Sequence, residues 1–182
     1  EDIDVSGYYP SLGSEWQVVP NHLGDEFAEE LGDIKNERID LKKKGLGKSA
    51  EANLLKLSLN GGYYGNLNSE YTPMYDWNKL LTITINGQLF LLMLCEQLSE
   101  IGVKIDMVNT DGVTILYKKT LKPKVKEIIS NWEKMTKMEM ESVIYKKVIR
   151  ANINNYLAVD EKGKTKEKGY FISKPLDDPF ME

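Results

Sequence analysis

Val108-Asn109-Thr110-Asp111-Gly112-Val113 is the stretch on which the reading of this chain turns. Ahead of it, Val103-Lys104-Ile105-Asp106-Met107-Val108 has the make-up of a strand. Behind it, Val113-Thr114-Ile115-Leu116-Tyr117 is rich in β-branched and aromatic residues. Two such runs about a tight Asn/Asp/Gly turn predict a β-hairpin. The turn holds Asp111 at the tip of two rigid strands, where a carboxylate can meet a metal ion. An Asp-Gly pair between strands is ordinarily only a turn, so a ligand role needs partners elsewhere in the chain.

The first partner lies far upstream. Asp2-Ile3-Asp4-Val5 alternates acid and aliphatic, so a period of two puts both carboxylates on one face and Ile3 and Val5 on the other. Tyr8-Tyr9-Pro10-Ser11 ends that strand. A long polar helix is predicted from about Leu23 to Lys44, with Leu23, Phe27, Leu31, Ile34 and Leu41 as a sparse apolar stripe. His22, the single histidine, sits near its start, in a capping or surface place. Gly45-Leu46-Gly47-Lys48-Ser49 breaks the helix and Ser49 starts a second, Ala50 to about Asn60, which makes a helical hairpin inserted between strands. On that second helix Lys56, Asn60 and Tyr63 fall at i, i+4 and i+7, one face. Tyr64 is rotated about 100° further, so which tyrosine joins the face depends on how Gly61-Gly62 distorts the turn.

After a loop from Asn66 to Asp76, a helix is expected from Asn86 to Ile101. Beyond the hairpin an amphipathic helix is predicted from Pro123 to Lys137, with Val125, Ile128, Ile129 and Trp132 inward. Glu141 to Tyr145 and Asn154 to Val159 read as strands, and the turn Asp160-Glu161-Lys162-Gly163 leads to another from Lys164 to Phe171.

Composition narrows the class. The chain has 182 residues, 41% hydrophobic and 29% charged, enough for one good core. One cysteine, Cys95, permits no internal disulfide, which suits a reducing cytoplasm. The apolar run Leu89 to Cys95, bounded by Gln88 and Glu96, is too short to span a bilayer, and no signal peptide opens the sequence; no membrane partner is expected. The net charge of −4 hides an asymmetry. From Ile115 to Tyr170 there are 14 Lys/Arg against 7 Asp/Glu, and elsewhere 10 against 21. A basic C-terminal half can grip phosphates while an acidic half carries metal ligands.

Those parts suit nucleotide addition. Two divalent ions about 3.5–4 Å apart activate the primer hydroxyl and carry the triphosphate. Mg²⁺ keeps several waters, so one or two carboxylates with substrate phosphates suffice. A cation toward the triphosphate, such as Lys56, is also required, because phosphoryl transfer rests on positioning and charge neutralisation.

At these residues the chain resembles the family B DNA-dependent DNA polymerases, in particular the phage and protein-primed type. Asp4-Val5-Ser6-Gly7-Tyr8-Tyr9-Pro10-Ser11 resembles the family's Asp-x-x-Ser-Leu-Tyr-Pro-Ser. Lys56-Leu57-Ser58-Leu59-Asn60-Gly61-Gly62-Tyr63-Tyr64-Gly65 resembles its Lys-x-x-x-Asn-Ser-x-Tyr-Gly helix. Asn109-Thr110-Asp111-Gly112 stands where the family has Asp-Thr-Asp-Ser, and Asn154-Asn155-Tyr156 is similar to its Lys-x-Tyr. Each match is modest, but all four in order are specific.

The resemblance implies an α+β palm, a mostly antiparallel sheet backed by helices, with a two-helix fingers insertion: residues 1–12 palm, 13–65 fingers, 66–182 palm. It implies metal ligation by Asp4 and Asp111 with the Val5 carbonyl, and two Mg²⁺ ions, which Mn²⁺ can replace. Tyr9-Pro10 sets the register on Asp4 rather than Asp2. Tyr9 would be the steric gate that selects deoxynucleotides. Backbone amides around Gly7 and Tyr8, with Lys56, Asn60 and Tyr64, would hold the nucleotide. Gly65, Thr110, Asn154, Asn155 and Tyr156 would meet primer-template DNA. Priming by an oligonucleotide and by a protein both stay open. The expected location is the cytoplasm of an infected bacterial host.

Departures are visible as well. Asn109 replaces an Asp, Gly7 replaces Ser and loosens the turn, and Asn154 replaces Lys, although Arg150 and Lys146-Lys147 lie near. One residue too many separates Asn60 from Tyr64-Gly65, so Tyr63 and Tyr64 compete for one role. The chain opens directly on a strand pattern and closes on the Pro-punctuated tail Pro175–Glu182, which suggests a piece of a longer polymerase with an exonuclease domain before and a thumb after. Two rival readings are a non-catalytic palm relic that binds nucleic acid or a replication partner, and a palm polymerase making RNA, against which Tyr9 argues.

Overall fold

The computed structural model describes residues 1–172; the tail from Pro175 lies outside them. Four strands form one antiparallel sheet: β1 (Asp2–Val5), β2 (Lys104–Val108), β3 (Gly112–Leu116) and β4 (Met140–Val143), in the spatial order β2-β3-β1-β4. The central strand β1 is thus paired with two strands more than 100 residues away in sequence. Asp4 faces Gly112 across β3 and Glu141 across β4.

Period two does what the acid–aliphatic alternation requires. Ile3 and Val5 of β1, with Val113 and Ile115 of β3, are buried against helices on one face. Asp2 and Asp4 point to the other face. The covering helices are α4 (Trp77–Glu100) and α5 (Lys122–Thr136). Val125 and Trp132 face inward on α5, as its spacing predicts, and Trp132 Nε1 donates to the Phe90 carbonyl at 2.8 Å to join the two helices.

Helix α4 begins nine residues before the expected start. Asp76 caps it, its carboxylate accepting the Lys79 amide at 3.0 Å; the β-branched run Thr82-Ile83-Thr84-Ile85 had masked the helical period. At 24 residues α4 is also long and apolar enough, by length and composition, to cross a membrane, which the short run at Leu89–Cys95 did not suggest. Here Ile83, Leu91, Leu94 and Leu98 form its core stripe, and Trp77, Leu81, Ile85, Leu89 and Leu92 remain exposed on the opposite side.

The helical hairpin is α2 (Asp25–Lys43) and α3 (Ala50–Leu57), with Ser49 Oγ accepting the Ala52 amide at 3.1 Å as the N-cap. Tyr8 to Ser11 does more than end a strand: it opens α1 (Tyr8–Glu15), which packs between α2 and α4. Gly7 sits in the left-handed region (φ 58°), where glycine is favoured, at the N-cap of that helix. The turn is therefore a defined one rather than a loosened one.

A second, three-stranded antiparallel sheet holds β5 (Tyr145–Asn152), β6 (Asn155–Asp160) and β7 (Thr165–Lys168). Strand β5 was not expected from the sequence, because its Lys-rich run is mostly exposed and lacks an apolar alternation. This sheet lies over the acidic face of the first. Asp106, set out of register by a bulge between Ile105 and Met107, is bound by Arg150 of β5 at 3.1 Å. Lys166 of β7 reaches Asp2.

Candidate active site

Asp4 and Asp111 meet because β1 and β3 are neighbours. Asp4 pairs with Gly112, and the Val5 amide donates to the Asp111 carbonyl at 2.8 Å. The turn that carries Asp111 is closed by the Asn109 amide donating to the Gly112 carbonyl at 2.8 Å. The two carboxylates, 107 positions apart in sequence, are close enough for the charge of Asp111 to help raise the pKa of Asp4; burial is the larger cause, and Asp2 and Glu141 add to it.

Gly112 makes this approach possible. A Cβ there would run into Asp4 Oδ1 and lie 2.7 Å from the Ile3 carbonyl oxygen. The acidic cavity, about 220 Å³, is lined by Asp2, Asp4, Asn109, Asp111, Tyr156 and Lys166 among others. Among the described residues no cluster of three or more Asp, Glu, His or Cys side chains converges as a metal cage. The donor set is two carboxylates with backbone and amide oxygens, the kind Mg²⁺ completes with water and substrate phosphates. Two carboxylates lining one cavity fit a divalent ion; Asn109 lines the same cavity as a neutral oxygen donor.

A second cleft of about 350 Å³ adjoins the first, with Asp111 in both walls. It is lined by Val5, Gly7, Tyr8 and Tyr9 from the β1–α1 turn, by Lys35 and Arg38 from α2, and by Lys56, Asn60 and Tyr64 from α3 and its extension. The amides at the start of α1 have no partner within the helix. Lys35 is buried and spent on Glu15 at 2.6 Å. Arg38 and Lys56 are the cations that flank the cleft.

Of the two adjacent tyrosines, Tyr64 lines the cleft. Beyond α3 the chain winds one π-helical turn, Ser58–Tyr63, before a short 3-10 segment from Tyr64. A π turn takes up one residue more than an α turn, so the extra residue after Asn60 is absorbed and the cleft-facing set becomes Lys56, Asn60 and Tyr64. The spacing of i, i+4 and i+7 had put Tyr63 there on the assumption of a regular helix. Tyr63 instead is buried, its hydroxyl donating to the Val18 carbonyl at 2.5 Å over Gly13. Tyr64 stacks on Tyr9, ring centroids 4.3 Å apart and 2° from parallel. Tyr8 is not in the stack; its hydroxyl donates to the Gly87 carbonyl at 2.5 Å. Burial, with Tyr64 and Asp111, pushes Tyr9 up to about 12.

Other expected site residues lie elsewhere. Tyr156 reaches the acidic cavity, but Asn154 and Asn155 are at the β5–β6 turn, where Asn155 Oδ1 accepts the Tyr170 amide at 2.9 Å. Arg150 is held by Asp106. Thr110 is exposed at the hairpin tip, within 3.4 Å of Asn109 Oδ1. Gly65 opens onto a neighbouring groove with Tyr71, Tyr75 and Trp77. Arg38 and Lys166, which line the clefts, were not expected from the sequence. Arg38 was legible as the i+3 companion of Lys35 on α2; no local signal singles out Lys166, whose partner Asp2 lies 164 residues away.

No protein-family model and no curated protein matches the sequence. Among solved structures, the chain is similar to the family B DNA polymerase from the hyperthermophilic archaeon Pyrobaculum calidifontis, with a TM-score of 0.63 and 17% identity over 92% of this chain. The match covers 26% of that polymerase, so this chain spans about a quarter of its length. At such identity the likeness concerns the fold: the chain has a polymerase-like α+β fold.

Proposed function

We propose that this chain is the palm and fingers portion of a template-directed DNA polymerase, with Asp4 and Asp111 as its paired metal ligands. The observation that carries the reading is that Asp4 on β1 and Asp111 in the turn before β3 line one acidic cleft, and that Asp111 also lines the second cleft, flanked by Arg38 and Lys56. Divalent metal, held by Asp4, Asp111 and the Val5 carbonyl, would lower the pKa of a primer hydroxyl and neutralise the triphosphate.

The remaining work falls to the chain. Arg38 and Lys56, on facing helices, draw the triphosphate into the second cleft. The α1 N-terminal amides after Gly7 donate to its oxygens. Tyr9, held flat by Tyr64, fills the space beside the sugar and leaves no room for a 2′-hydroxyl. Its raised pKa keeps it a neutral wall rather than a proton carrier. Tyr156 and the Lys-rich β5–β7 sheet face the primer backbone, where Lys contacts to phosphates supply salt-dependent grip. Mn²⁺ is expected to substitute for Mg²⁺, and the primer is either an oligonucleotide or a protein. The enzyme would act in the cytoplasm of an infected bacterial host.

Primer extension by the longer protein tests this: Asp111→Ala is expected to abolish incorporation, and a fully active variant overturns the assignment. A second reading, a palm relic that binds nucleic acid without catalysis, is favoured by Asn109, which leaves the hairpin one charge short. Saturable Mn²⁺ binding that depends on Asp4 supports the enzyme; its absence supports the relic.

A further inference from the structure

Lys166 of the second sheet reaches two carboxylates of β1. Lys166 pairs in register with Ala158 on β6, and its ammonium lies 5.8 Å from the centre of the Tyr156 ring. It is 3.2 Å from Asp2 Oδ2 and 4.0 Å from Asp4 Oδ2. Asp2 is nearly closed off from solvent, at 8% exposure. Thr114 Oγ1 donates to it at 2.8 Å and the Tyr145 hydroxyl at 3.4 Å. Asp2 is thus fixed in place and anchors Lys166, whereas Asp4 is half exposed toward the cavity and holds the ammonium only loosely. Burial pulls the Lys166 pKa down, but Asp2 and the Tyr156 and Tyr145 phenols outweigh it and hold the amine charged.

We propose that Lys166 is the resident cation beside Asp4, tethered by Asp2, and that it competes with divalent metal for the Asp4 carboxylate. The proposal rests on the metal-site reading above. Without metal, an ammonium beside crowded acids offsets their repulsion. With metal, the same fixed positive charge lies close to a doubly charged ion and weakens its hold. Asp2 sets the balance: by keeping the ammonium at its own oxygen, it stops Lys166 from closing fully on Asp4. Asp2 and Lys166 are positioning residues in this scheme, and neither is required as a ligand.

The competition gives the two residues opposite signs. In Mn²⁺ titrations of the 182-residue chain, followed by the electron paramagnetic resonance of free Mn²⁺, Lys166→Met is expected to tighten binding about fivefold or more. Asp2→Asn, which releases the ammonium onto Asp4, is expected to weaken it by a similar factor. Lys166→Gln should tighten like the Met variant and covers the case in which Met disturbs folding. Lys166→Arg should stay near the parent value. Circular dichroism confirms that each variant is folded. A merely structural role would leave both dissociation constants unchanged or move them the same way, and either result overturns the proposal. Asp4→Asn separates the two levels: if the parent binds no Mn²⁺, or binds it equally well without Asp4, the site reading itself fails. If binding depends on Asp4 yet ignores Lys166 and Asp2, only the competition falls.

Discussion

The rings of Tyr9 and Tyr64 lie 4.3 Å apart and 2° from parallel, joining the turn after β1 to the helical extension after α3. A rigid neighbour fixes where the Tyr9 ring stands, so the sugar gate proposed for Tyr9 would depend on both residues. Tyr9→Ala in the longer protein is expected to raise ribonucleotide relative to deoxynucleotide incorporation by about tenfold or more. Tyr64→Ala, which removes the support of that ring, should give a smaller rise in the same ratio. An unchanged ratio in Tyr9→Ala counts against the gate.

The π turn predicts a division of labour between adjacent tyrosines. Tyr63 is core, so Tyr63→Ala is expected to cost about 3–5 kcal/mol in urea unfolding. Tyr64→Ala should cost about 1.5 kcal/mol or less, the scale of one ring-pair contact, and act mainly on nucleotide affinity. Deleting Gly62 shortens the turn to regular helical spacing and should leave Tyr64 in the cleft with KM for nucleotide little changed. A large KM rise in the deletion would show that the extra residue sets the phase of the tyrosines.

Much of this was written in the chain, and the reasons divide cleanly. Strand β1, the Asp111 hairpin, the Ser49 cap and the inward face of α5 follow from local periodicity and turn chemistry. The assignment of Tyr64 over Tyr63 did not, because the helical phase changes inside Gly61-Gly62 and no local rule says which turn absorbs the extra residue. Strand β5 escaped because an exposed strand carries no apolar alternation. Lys166 escaped because its meaning comes from a sheet-to-sheet contact with Asp2, 164 residues earlier. The long reach from Asp4 to Asp111 was legible only through the order of four short stretches together.

Gly112 is placed where only hydrogen fits. Gly112→Ala sets a methyl group against Asp4 Oδ1 and 2.7 Å from the Ile3 carbonyl, so a loss of about 1–3 kcal/mol is expected in chemical denaturation. Mn²⁺ affinity should fall along with it, because the Asp4 carboxylate must turn away. Full stability with unaltered metal binding contradicts the packing account.

Asp4 carries a stability consequence of known sign. Burial first, then Asp2, Asp111 and Glu141, raises its pKa above the ordinary 3.8, with Lys166 opposing. Between 3.8 and the raised value the folded chain holds a proton that the unfolded chain has released, so this group's contribution to stability declines as pH rises through that window. Asp4→Asn should therefore raise the urea midpoint at pH 7 in chelator, and the gain should vanish at pH 3, where Asp4 is protonated in both states. A variant less stable than the parent at pH 7 would reverse the sign and refute it.

The metal site proposed between Asp4 and Asp111 is tested most directly by diffraction from crystals of the chain soaked in Mn²⁺ and collected for anomalous scattering. The account predicts an anomalous peak between the carboxylates, with oxygens of both Asp4 and Asp111 about 2.0–2.3 Å from it. A peak bound to one of the two acids alone, or no peak between them at saturating Mn²⁺, would contradict it.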